Sequence, residues 1–250
     1  MYRLMERISD KDIEWLLKPN QDFNYKTEER LEKVQKLSFK RKAIRFGLWA
    51  LLILTLTILP FFLLIKTSIY LNIDQGLNGW VSLFGGIGAT VAILLVYVVM
   101  LFRKVKNKKL IFRYGLGGVG ALVGGFCLYG LLYVSSVNAK SDSVKEVYRS
   151  LHPILRVAVA TTTLAEGDLV ITDIKRSTED YTKMGLPINQ SSLHFPQPDG
   201  YVHAIDLRTK GHSEFRNFML SNSLRLMGFK TLRHVGTADH LHISLPYSEH

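Results

Sequence analysis

The stretch Thr237 to Leu245 sets His240 and His242 two positions apart, with Asp239 just ahead of them. Leu241, Ile243 and Leu245 alternate with His240, His242 and Ser244, the period-2 pattern of a half-buried strand. One face enters a core and the other presents two imidazoles to one site. Upstream, Ser191-Ser192-Leu193-His194 ends a polar loop, and Gly200 to Arg208 puts Asp206 on a strand with Ala204 on the same side. A mononuclear hydrolytic zinc site takes three protein ligands from His, Asp and Glu and keeps a fourth position for water. It also needs an acid or base near that water and a cation or donor for the developing oxyanion. One His from a loop, one Asp from a strand and one His from a neighbouring strand meet that requirement, with His203 as a competing ligand.

The elements that must position these residues follow from pattern. Ser141 to about Thr161 reads as helix, with Pro153 as a break or restart, and Asp168 to Ile174 as a buried strand leading into Lys175 and Arg176. Tyr201 to Leu207 is a second strand. Ser213 to Met227 carries Phe215, Phe218, Met219 and Met227 at helical spacing, and Gly228 is a fitting stop. Phe229 to Val235 and His240 to Leu245 complete an α+β domain with a mainly antiparallel sheet.

Ahead of this domain the chain is of another kind. Residues 46–65, 80–102 and 114–134 are apolar runs close to the roughly 20 residues a helix needs to cross a bilayer core. None contains Asp, Glu, Lys or Arg, so no ionisable carrier marks a proton or ion path. The first run follows a long polar leader without a small-residue cleavage site, and reads as an uncleaved signal anchor. Residues 1–45 hold a capped amphipathic turn from Ser9 to Pro19 and a mixed-charge helix from Thr27 to Lys42. Gly120-Ala121-Leu122-Val123-Gly124 has the spacing that lets helix backbones approach, within this chain's three helices or between copies as a homo-oligomer.

The formal charge of +11 belongs mostly to the flanks of these runs, which argues against nucleic acid as partner. Lys36, Lys40, Arg41, Lys42 and Arg45 precede the first run, and Arg103 to Arg113 separates the second from the third. Lys and Arg accumulate on the cytoplasmic side. The expectation is an N-terminus inside a cytoplasmic (inner) membrane and a C-terminal domain in the periplasm or outside the cell. The organisation expected is residues 1–45 cytoplasmic, 46–134 in three spans, 135–164 a linker and helix, and 165–250 the extracytoplasmic domain. The one cysteine, Cys127, lies inside a run and excludes an intrachain disulfide or a cysteine zinc site.

The pattern Ser-x-His, then a small residue, x and Asp on a strand, then an acidic residue three before a final His resembles the zinc D-alanyl-D-alanine peptidases. These are the VanX and VanY type, whose fold is shared by the Hedgehog signalling domain. Val170 to Arg176 is similar to the family strand that ends in a substrate-binding arginine. The likeness covers residues 165–246. It implies a Zn2+ held by His194, Asp206 and His242, with Asp239 in the place of the catalytic glutamate. It implies Arg176 on the substrate carbonyl or carboxylate, and leaves His240 beside the metal as a hydrogen-bond donor or auxiliary acid. Two departures are visible: Phe195-Pro196-Gln197-Pro198-Asp199 lengthens the loop after the first His, and Asp239 is one methylene shorter than Glu. The function this implies is a membrane-anchored metallopeptidase, a hydrolase of peptidoglycan stem peptides in the cell wall. The alternative is a catalytically inert, zinc-containing module that binds cell-wall peptide.

Overall fold

A computed structural model of the chain describes residues 21–246 apart from 184, 186, 190, 237 and 238. The capped turn expected before Pro19 lies outside the described residues. The chain divides into two compact units, Met1–Thr57 and Ile58–His250.

Helix α1 (Gln21–Ile73) runs unbroken from the mixed-charge stretch into the first apolar run. Lys, Glu, Gln and Leu dominate its first half, and straight-chain residues of this kind lose little rotamer freedom in a helix. Within the first unit its apolar side chains, Trp49, Leu51 and Ile53 among them, are exposed. Helix α2 (Gly79–Leu101) starts where the Asn78 side chain accepts from the Trp80 N–H at 2.8 Å. Helix α3 (Lys108–Leu132) starts where Asn107 accepts from Leu110 N–H at 3.1 Å. All three are long and apolar enough to cross a membrane.

Within the second unit these helices meet through small residues. A Cβ on Gly86 would fall 2.1 Å from Ser68 Oγ and 2.4 Å from the Leu64 carbonyl, so only glycine allows that approach. Gly120 and Gly124 do not share in this: nothing lies within 4 Å of a Cβ built on either. The close approaches on α3 fall at Gly115, against Val98, and at Gly130, against Ala160.

The remaining elements are α4 (Asp142–Glu146), α5 (Pro153–Ala165), β1 (Ile171–Asp173), α6 (Thr178–Lys183), β2 (Ala204–Arg208), α7 (Glu214–Met227), β3 (Lys230–His234) and β4 (His240–Ser244). The strands form one antiparallel sheet in the order β1-β2-β4-β3. The α+β class and the antiparallel sheet are those the sequence pattern indicates. Pro153 restarts the helix at its first position, where a missing N–H costs nothing. Ser213 caps α7 by accepting from Arg216 N–H, and Gly228 ends it at φ +116°.

One sheet face packs on helices. Ile205, Leu207, Leu241 and Ile243 join Leu155, Ala158 and Val159 of α5 and Leu220 and Leu224 of α7 in a common core. That core extends to Ile65 and Ile69 at the end of α1. Helix α5 is buried from Pro153 to Thr161 because it also packs on α2 and α3. On α7 the spacing of Phe215, Phe218 and Met219 does mark one face, but it is the outer one. Phe215 is 74% exposed, and the buried residues are Asn217, Leu220 and Leu224.

Candidate metal centre

Strand alternation puts Asp206 and His242 on the sheet face turned away from the helices, and the β2–β4 register sets them directly opposite each other. Side chains so paired start about 5 Å apart, close enough for a carboxylate and an imidazole to converge. His194 comes from the loop between α6 and β2. Its carbonyl accepts from Arg176 N–H at 3.1 Å, and the His203 N–H donates to Leu193 O at 2.9 Å, which pins the loop beside the sheet.

The structure thus brings His194, Asp206 and His242 together. His194 Nε2, Asp206 Oδ1 and His242 Nδ1 form a triangle with sides of 3.4, 3.2 and 2.8 Å. Ligand bonds of about 2.0–2.1 Å in a tetrahedral zinc site require an edge of roughly 3.3 Å. Two sides meet that value and the third is short by about half an ångström.

Protonation makes the case stronger. His194 Nδ1 lies 2.7 Å from the Ile174 carbonyl, which only accepts, so Nδ1 carries the proton. Its Nε2 then faces the Asp206 carboxylate with either a second proton or a lone pair. His194 and Asp206 are 1% and 3% exposed, so water does not compensate there. With a lone pair on Nε2 a metal ion between the two would satisfy both, and a ring whose outer nitrogen donates to a backbone carbonyl is the arrangement metal-ligating histidines adopt. Burial works to raise the Asp206 pKa, but hydrogen bonds and charge from His194 and His242 outweigh it. The carboxyl is held well below the usual carboxylate range. Two imidazole nitrogens and a carboxylate oxygen this close together are a donor set that could hold a divalent ion, and they fit the zinc that the family resemblance implies.

Arg176 reaches this group from the end of β1, but its guanidinium is already engaged. Nη2 donates to Asp206 Oδ2 at 2.9 Å and Nε donates to Asp173 Oδ2 at 2.6 Å. Burial opposes its charge, and these two carboxylates overcome that and raise its pKa. Arg176 therefore holds the far oxygen of Asp206 and fixes the orientation of the near one.

His240 stands on the same face as His242, stacked on His234 with ring centroids 4.8 Å apart, and its Nε2 is 3.8 Å from Asp206 Oδ2. Asp239 precedes it in phase with Leu241 and Ile243. Its carboxylate accepts from Arg233 Nε and Nη2 at 3.2 and 3.0 Å and from the Thr209 hydroxyl at 2.5 Å. The Arg233 and Thr209 hydrogen bonds lower its pKa. Asp206, Arg176, His240 and Asp239 line one cleft of about 980 Å³.

A second group of the same composition lies elsewhere in the domain. His152, Asp199 and His203 offer ligand atoms within 4.8 Å of one another. His203 Nε2 is 2.9 Å and His152 Nε2 is 3.8 Å from Asp199 Oδ2, with the two rings 4.7 Å apart. Here the protonation is reversed. His152 Nδ1 accepts from Ile154 N–H at 3.3 Å as the N-cap of α5, so in the neutral ring Nε2 carries the proton and has no lone pair for a metal. Burial, and then neighbouring His203, lower the His152 pKa to about 3. Burial pushes Asp199 the other way, but the His203 and Tyr201 hydrogen bonds keep its pKa low. A Cβ on Gly79 would meet His152 Nε2 at 2.3 Å, so α2 seals that ring against the domain. Sequence reasoning noticed His203 but not its partners. The available signal was His152 directly before Pro153, the position of an N-cap.

Comparison with protein-family models, with curated proteins and with solved structures finds no match to this chain.

Proposed function

We propose that the chain is a membrane-anchored, zinc-dependent peptidase whose substrates are peptidoglycan stem peptides, cut outside the cytoplasmic membrane in the manner of a D-alanyl carboxypeptidase or endopeptidase. The observation that carries the reading is the His194–Asp206–His242 triangle, with the His194 tautomer set by Ile174 and the far oxygen of Asp206 held by Arg176. Zinc bound there supplies Lewis acidity and brings the pKa of a coordinated water toward neutrality. Arg176 keeps Asp206 in one orientation. His240, 3.8 Å from Asp206 and lining the cleft, is placed to take and return a proton at Nε2. Its side chain is partly open to solvent, with which a proton can exchange. The three apolar helices and the basic flanks of α1 and α3 support an anchored protein with this domain on the outer side.

The test is metal content and muropeptide hydrolysis by the full chain in detergent or nanodiscs, with and without a chelator. The expected result is about one zinc per chain and chelator-sensitive release of D-alanine or of stem-peptide dimers as monomers. Stoichiometric zinc without hydrolysis of any muropeptide would favour a second reading, an inert module that binds cell-wall peptide. One observation speaks for that reading: Asp239, at the position of the family's base, is clamped by Arg233 and Thr209.

A further inference from the structure

The cleft beside the metal group has an unequal charge distribution. Its four carboxylates all have partners. Asp206 and Asp173 are bonded to Arg176, Asp239 to Arg233 and Thr209, and Asp180 to the N–H and hydroxyl of Ser177 at 2.8 Å each. Of the cations lining it, Arg176 is taken by those carboxylates. Lys140, Lys175, Lys183, Arg208 and Lys210 are exposed and form no salt bridge among the described residues.

Arg208 is the best placed of the five. It lies two residues from Asp206 on the same face of β2 and pairs directly with His240 across the sheet. Two strand residues span about 6.6 Å, so its side chain begins that far from the metal group along the cleft. An extended peptide advances about 3.5 Å per residue. A carboxylate one or two residues from the bond being cut therefore comes level with Arg208. The guanidinium fork binds a carboxylate through two parallel hydrogen bonds, which a lysine does not do.

We propose that Arg208, with Lys140, Lys175 and Lys210 around it, is the substrate-carboxylate anchor of this cleft and selects acidic peptides. The inference rests on the peptidase reading above and deepens it. It moves carboxylate recognition from Arg176, which positions Asp206, to Arg208, which faces the open cleft.

The test uses the full chain in phosphatidylcholine nanodiscs with chelator present, so that binding is read without turnover. The probe is the dye-labelled pentapeptide L-Ala-γ-D-Glu-L-Lys-D-Ala-D-Ala, set against the same peptide with both carboxylates amidated. The native chain should bind the acidic form at least tenfold more tightly. R208A should abolish that ratio, R208K should keep part of it, and zinc content measured without chelator should be unchanged in both. Equal binding of acid and amide by the native chain overturns the proposal, as does a ratio that survives R208A. Displacement of the peptide by phosphatidylglycerol vesicles, with the acid and amide forms bound alike, assigns the patch to lipid and also overturns it. Failure of the peptidase reading looks different: zinc and hydrolysis are missing while the acid-to-amide ratio, and its loss in R208A, persist.

Discussion

Two groups in this domain contain the same residues, two histidines and an aspartate, and differ in what the outer nitrogen of one histidine touches. In the first, His194 Nδ1 faces the Ile174 carbonyl, which puts a proton on Nδ1 and leaves Nε2, facing Asp206, as the nitrogen that can carry a lone pair. In the second, His152 Nδ1 faces the Ile154 N–H, which takes that lone pair and leaves Nε2 protonated. The first group can hold a metal ion. The other ties the start of α5 to Asp199, His203 and Gly79 of α2. Residue composition does not separate a ligand set from a structural knot, and the tautomer does.

The largest effect that would break this distinction is on metal. His242→Ala or Asp206→Asn should reduce zinc affinity by on the order of 10²-fold or more, beyond the cost of losing an outer-shell partner. His152→Ala and His203→Ala should leave zinc content at the native level. Equal zinc loss in both sets, measured by mass spectrometry after gel filtration, would make the groups equivalent. Next in size is Arg176→Ala. It should weaken zinc binding by about 10–100-fold because Asp206 loses the donor on its far oxygen. An unchanged zinc titration would reduce Arg176 to a surface salt bridge.

The second group should respond in stability. His152→Ala removes a helix cap and a buried ring, and a loss of about 1–3 kcal/mol is expected. A lowered denaturation midpoint for the chain in detergent, at unchanged zinc content, is the matching observation. Gly79→Ala should act in the same direction, since the methyl group collides with the same ring. A native midpoint in Gly79→Ala would show that α2 does not confine His152.

The smallest effect is on pH dependence. His152 has a folded pKa of about 3, below the ordinary histidine value of 6.5. The unfolded chain thus binds more protons between those limits, and stability rises with pH there. The contribution is complete above about 6.5 and is lost as pH falls toward 3. Asp206 is also depressed, so its contribution is lost only lower, as pH falls through and below the ordinary carboxylate range. His152→Gln should flatten the upper part of the stability profile and leave the lower part. A profile that keeps its slope between pH 6.5 and 4 in that variant would assign the titration to another group.

Much of this was legible in the chain. Alternation through His240 to Leu245 gave β4 and its faces, Pro153 gave the start of α5, and Ser213 and Gly228 gave the ends of α7. Residue type and order narrowed the ligand candidates to a few His and Asp, and the family resemblance picked out the three that converge, His194, Asp206 and His242. Phase along β4 already placed Asp239 with the apolar residues rather than with His242, though spacing by family pattern drew attention elsewhere. What sequence could not supply was pairing at a distance. The Arg176 side chain meets Asp206 thirty positions later, and Arg233 takes Asp239 across a turn. Helix α5 looks like a connector because its apolar residues point in all directions. It needs covering on every side, which a linker does not have. On α7 the large aromatic residues suggested the wrong face, since the buried side is made of Leu220, Leu224 and Asn217.

That same α5 sets a mechanical condition. Its Arg156 donates to the Leu131 carbonyl at 2.7 Å, Tyr148 donates to the Gly130 carbonyl at 2.7 Å, and Trp80 donates to Tyr201 at 3.0 Å. With α2 and α3 in a bilayer, the sheet and its metal group stand on the spans as on a plinth, without a flexible stalk. The cleft would then keep a fixed height above the lipid. A peptide binding there would have to come to that height.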